Sequence, residues 1–130
     1  MKKKKILVDM SATLIHHGHI RLLKKAYTMG DVIIALTKDK EIKKYKGYNP
    51  EIKFKYRKEI LESIKFVNKV IPSNFYLDDK FIKKNKIDFL VHGHDNKNFI
   101  KSSKLKIFKR TKGISSDILR KKIYKVSKKK

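Results

Sequence analysis

Three short, unbroken apolar runs constrain this chain most: Ile6-Leu7-Val8, Val32-Ile33-Ile34-Ala35-Leu36 and Phe89-Leu90-Val91. Runs of this length without polar alternation suit strands covered on both faces, as in a parallel sheet. Between them, apolar residues recur at helical spacing. Ile20, Leu22, Leu23, Ala26 and Tyr27 mark one helix, with Gly30 standing where a C-cap belongs. Ile52, Tyr56, Ile60, Leu61 and Ile64 mark a second, amphipathic helix over Glu51–Phe66. Val67–Ile71 reads as a strand closed by Pro72, Asp78–Asn85 as a short helix, Leu105–Phe108 as a last strand and Ser115–Tyr124 as a last helix. Residues 38–50 are lysine-rich and broken by Gly47 and Pro50, which predicts a loop with at most one helical turn. Strands alternating with helices over short connections predict an α/β fold, a doubly wound parallel sheet of about five strands in a three-layer α/β/α sandwich.

At 130 residues the chain is expected to form a single domain over 1–130, with 126–130 a flexible basic tail. The absence of cysteine excludes disulfides and thiolate zinc sites. The lysines at positions 2–5 are followed by only three apolar residues before Asp9, too few for a signal-peptide core. No apolar run approaches the roughly 18 residues of a membrane span, so a soluble, cytoplasmic protein with no membrane partner is expected. The net charge of +24 invites a nucleic-acid reading. But lysine is spread over almost every segment rather than gathered into an arginine-bearing stripe, and no aromatic platform for bases is evident. A basic nucleic-acid-binding module therefore stays as an alternative only. The field will still attract small phosphorylated anions.

In such sheets ligands bind beyond the carboxyl ends of the strands, and the unusual residues lie there. Three of the five histidines fall in His16-His17-Gly18-His19, just after the first strand. Zinc would need three well-placed protein ligands, which His-x-x-His does not supply, so no protein-bound metal is expected. The histidines could instead cap the helix that follows. Alternatively, a helix opening near Gly18 offers free N–H groups and a positive dipole end to phosphate, with two imidazoles as further donors. Beyond the last strand, Arg110-Thr111-Lys112-Gly113-Ile114-Ser115-Ser116 combines a guanidinium, a glycine and hydroxyls at a helix start, again suited to phosphate. A plain serine N-cap is the competing reading.

The two segments together resemble the paired HxGH and RTxGISST-like signatures of the cytidylyltransferase branch of the nucleotidyltransferases, whose members act on glycerol, choline or ethanolamine phosphates. The likeness runs from Lys5 to Ile123. It implies a Rossmann-like fold and transfer of CMP from CTP to a small phosphorylated alcohol, glycerol phosphate first, with release of pyrophosphate. Mg²⁺ would be bound mainly through the CTP phosphates, and a homodimer is implied. By the match, His16, His19, Lys46 and Arg110 are catalytic. Ser11, Ala12, Gly18, Gly93, Asp95, Thr111, Gly113, Ile114, Ser115 and Ser116 contact the nucleotide, and Asp39, Arg57, Lys65 and Tyr76 the substrate. The chain departs from the pattern at Met10-Ser11-Ala12-Thr13, where relatives carry a G-T-F-D-like run, and at His94, which replaces an acid. Adenylyl transfer, which shares the HxGH signature, is the alternative chemistry.

Overall fold

The structure is a computed structural model that describes residues 3–92, 104–107 and 111–128. Five parallel strands, β1 (Lys5–Met10), β2 (Asp31–Thr37), β3 (Lys69–Ser73), β4 (Phe89–His92) and β5 (Leu105–Ile107), form one sheet in the order β3-β2-β1-β4-β5. The helices are α1 (His17–Tyr27), α2 (Asp39–Lys46), α3 (Phe54–Glu62), α4 (Asp79–Lys84) and α5 (Ser116–Lys128).

Alternate residues of the strands feed two separate cores, which is why the runs are apolar throughout. Ile6, Val8, Val32, Ile34 and Val91 pack with Leu23 and Ala26 of α1 and Leu61 of α3 on one face. Leu7, Ile33, Ala35 and Leu90 pack with Ile82 of α4 on the other. The strand order reverses between β1 and β4, so the crevice for a ligand opens above that seam.

Several boundaries differ from the sequence reading. Residues 39–46 form a helix rather than a loop: Ile42 alone is buried, so the amphipathic signal is a single residue, and Gly47 ends the helix with φ of 80°. Helix α3 spans nine residues and not the whole of Glu51–Phe66. Pro72 lies inside β3 instead of closing it, tolerable because β3 is an edge strand. Gly30 is not a cap. Helix α1 ends at Thr28, and a Cβ at Gly30 would stand 2.2 Å from the Lys4 carbonyl oxygen, so glycine is there for the close approach of β1. Residues 126–128, expected in a flexible tail, continue α5.

Candidate active site

A cavity of about 890 Å³ opens at the carboxyl ends of β1, β2 and β4. On one side stands the start of α1, built by a reciprocal capping box. His16 is the N-cap, with extended φ and ψ of −145° and 179°. Its Nδ1 accepts from the Gly18 N–H at 3.0 Å, and His19 Nδ1 accepts from the His16 N–H at 3.1 Å. Capping boxes usually use Ser or Thr with Glu or Gln; here two imidazoles do both jobs. The capping and phosphate readings are therefore compatible. Since each Nδ1 is an acceptor, each neutral ring carries its proton on Nε2, which remains to donate. The rings lie 4.0 Å apart between centroids. Burial, then His16, then Lys46, push the His19 pKa down to about 3, and burial with His17 lowers that of His16. Both rings are neutral donors at pH 7. Gly18 is demanded by this arrangement: a Cβ would meet His16 Cε1 at 2.8 Å and Ile114 Cγ2 at 3.3 Å.

Beside it, the segment leading into α5 brings Thr111, Ile114 and Ser115 to the same cavity, with Ser116 at the first position of the helix and Gly113 turning the chain at φ of 79°. The two serines are held in different ways. Ser115 Oγ accepts from the Ile118 N–H at 3.0 Å, a conventional cap whose hydroxyl hydrogen stays available. Ser116 Oγ donates to the Leu14 carbonyl at 2.9 Å and accepts from the Leu14 N–H at 3.3 Å. Its hydroxyl thus staples α5 onto the β1–α1 loop, while the residue itself lines the cavity.

Ser11, Ala12, Lys46 and Tyr76 also line the cavity, as do Arg21, Lys24 and Lys25 from the exposed side of α1. Ala12 is buried with φ of 47°, a left-handed conformation rare for alanine, so the loop that departs from the family pattern carries backbone strain. Tyr76 packs with Tyr45 and Phe75 in a three-ring cluster, centroids 5.0–5.1 Å apart.

Three residues expected to contact the substrate lie elsewhere. Arg57 has no exposed surface; it donates to Ser11 O at 2.6 Å, Ile52 O at 2.9 Å and Asp39 Oδ1 at 2.6 Å. It holds the β1–α1 loop from beneath and has no face to offer a ligand. Asp39, besides that ion pair, accepts from the Phe54 N–H at 3.0 Å through Oδ1 and at 3.2 Å through Oδ2, capping α3 from another element. Lys65 is exposed, its Nζ 5.3 Å from the Phe66 ring centroid and away from the cavity. Arg110, Gly93, His94 and Asp95 lie outside the described residues.

The sequence reading missed Asp9. Its Oδ1 is 2.5 Å from His92 Nδ1, and both side chains line the cavity at the β1–β4 seam, 10% and 20% exposed. Register fixes the pair, since Val8 lies opposite Val91. A sequence cannot reveal the pair until β1 and β4 are known to be neighbours. Thr37, at the end of β2, supports the same floor by donating to the Met10 carbonyl at 3.3 Å. The result is a cavity ringed by cationic side chains and N–H donors, with one carboxylate–imidazole pair at its base.

The cytidylyltransferase-like family model matches residues 11–122. The chain is 36% identical over 129 residues to a glycerol-3-phosphate cytidylyltransferase of Staphylococcus aureus, covering 93% of this chain and 96% of that one. It is 33% identical over 93 residues to an ethanolamine-phosphate cytidylyltransferase of Mus musculus, covering 70% of this chain and 23% of the relative. It is 30% identical over 121 residues to an FAD synthase of Thermococcus kodakarensis, covering 92% and 80%. The fold is shared with a lipopolysaccharide core biosynthesis protein of Thermoplasma volcanium at a TM-score of 0.64 and 19% identity, covering 95% and 88%. With the likeness running over nearly the whole chain, this protein belongs to the cytidylyltransferase-like family.

Proposed function

We propose that the cavity binds CTP and transfers its CMP group to a small phosphorylated alcohol, glycerol phosphate being the first choice. A phosphate oxygen of the acceptor attacks the α-phosphorus, a new P–O bond forms, the bond to the β-phosphate oxygen breaks, and pyrophosphate leaves. The observation that carries this reading is that two neutral Nε2–H donors at the start of α1 and the start of α5 line one cavity side by side. Such an arrangement neutralises charge developing on an in-line phosphorus without a covalent intermediate. Lys46 and the α1 cations attract the triphosphate. The Asp9–His92 base, an acceptor of hydrogen bonds in a cationic cavity, suits the alcohol or amine end of the acceptor.

Asp9 and Asp117 are the carboxylates lining the cavity among the described residues, and no cluster of three metal-ligating side chains occurs among them. This donor set fits Mg²⁺ carried on the nucleotide phosphates, where it would offset their charge, better than an ion held in a protein cage. Family membership motivates two companion proposals, a homodimer and a cytoplasmic location. Light scattering after size-exclusion chromatography tests the first and cell fractionation the second.

Pyrophosphate release should be measured with CTP, ATP, GTP and UTP against glycerol, ethanolamine and choline phosphates. Release with CTP and one of these acceptors is expected; release with ATP alone would move the assignment to adenylyl transfer, the chemistry suggested by the FAD synthase likeness. His16→Ala should lower kcat by about 10²–10³, the cost of losing one oxyanion donor. Turnover like that of the unaltered protein would remove His16 from the mechanism.

A further inference from the structure

Helix α5 contributes the first turn that faces the proposed triphosphate, yet none of its residues is buried. Its attachment is polar. One turn beyond the Ser116 staple, Arg120 inserts its guanidinium between three segments. Nε and Nη2 hold the two oxygens of Glu51 at 2.5 and 2.7 Å, Nη2 reaches Thr13 Oγ1 at 3.0 Å, and Nη1 reaches Asp117 Oδ1 at 2.8 Å. The guanidinium carbon lies 4.4 Å from the Tyr48 ring centroid. Tyr48 and Glu51 belong to the turn that leaves α2 directly after cavity-lining Lys46. Thr13, 1% exposed, belongs to the strained β1–α1 loop.

We propose that Arg120 and Glu51 are positioning residues for nucleotide binding. Their fork ties the Lys46 segment, the β1–α1 loop and the start of α5 into one wall of the cavity. The proposal rests on the triphosphate reading of that cavity. Arg120 is not itself among the lining residues, and four of its N–H groups are committed to Glu51, Thr13 and Asp117, so it acts through the segments it joins. Isolated surface ion pairs contribute little. A bidentate pair, closed by a hydroxyl and an aromatic face, instead specifies orientation. Orientation is what this helix lacks: with no buried apolar anchor, its first turn can open locally at low cost. Donors that must be in place before charge develops cannot tolerate such looseness.

Glu51→Gln keeps size and one acceptor oxygen but replaces the other with an NH2 donor, which removes the charge-assisted fork. The expected result is a rise of about tenfold in KM for CTP, with kcat within about twofold, KM for the phospho-alcohol unchanged and little change in Tm. Amide hydrogen exchange should quicken together at residues 48–52 and 116–120. Thr13→Asp added to Glu51→Gln should restore KM for CTP, because a carboxylate there meets the same Nη2. An unchanged KM for CTP, an equal effect on both substrates, or a loss matched by unfolding and not rescued by Thr13→Asp would overturn the proposal. Tripolyphosphate binding and the same exchange experiment serve if the unaltered protein turns over no CTP. Coupled loosening with weaker tripolyphosphate binding then upholds the clamp while the nucleotide assignment fails; neither change overturns the clamp as well.

Discussion

His19 titrates far from its ordinary range, and the sign of that shift has a measurable cost. Its pKa falls from 6.5 in the unfolded chain to about 3 in the folded one, through burial first and then the neighbouring His16 and Lys46. Between those values the unfolded chain binds a proton that the folded chain excludes. Stability is therefore full above pH 6.5 and declines as pH falls towards 3, by up to about 1.4 kcal/mol per pH unit for this one group. Chemical denaturation at a series of pH values checks this, with His19→Gln as the variant whose slope should flatten. An unaltered slope in that variant would place the acid sensitivity elsewhere. Binding of an anionic triphosphate should raise the His19 pKa, so that imidazole resonances shift on addition of CTP at pH 5.

At the scale of elements, Asp39 is the joint between α2 and α3. It lies in the first turn of α2, caps α3 through the Phe54 N–H, and balances the buried Arg57 that holds Ser11. Asp39→Ala leaves Arg57 charged and without its carboxylate. The expected loss is roughly 2–3 kcal/mol, below the usual figure for a fully buried pair because Asp39 is 41% exposed. Urea denaturation measures it, and Arg57→Met in the same background should recover part of the loss. Such joints explain which parts of the structure were legible in the sequence. The strands were readable because Ile6–Val8 and Val32–Leu36 are apolar on both faces. Helix α2 was not, because Ile42 is its only buried residue. The start of α3 was misplaced because its cap comes from Asp39, fifteen residues upstream. The histidine and serine signatures could be found as motifs. Asp9–His92 and Arg120–Glu51, 83 and 69 residues apart, exist only once strands and helices are packed.

For the molecule as a whole, the excess of cations sets how it meets its ligands. A net charge of +24 on 130 residues creates a field that concentrates small polyanions at the cavity, where Arg21, Lys24, Lys25 and Lys46 add to it. That contribution is screened by salt. Raising ionic strength from about 0.05 to 0.5 M shortens the Debye length to a few ångströms, so kcat/KM for CTP should fall several-fold while kcat stays nearly constant. An RNA competitor should inhibit at low salt and lose its effect at high salt. Inhibition that persists at high salt would instead favour a dedicated nucleic-acid surface.

The box formed by His16 and His19 joins two properties that most enzymes keep on separate residues. The three-residue interval between the imidazoles is the interval any N-cap and its N3 partner require. One motif thus starts a helix and, in the proposed mechanism, supplies the donors to phosphate. The helix-starting half can be met by other residues: a His16→Ser, His19→Glu chain would still begin α1 while offering no imidazole to phosphate. A descendant freed from catalysis could drift in that direction and remain folded, keeping the scaffold and surrendering only the reaction.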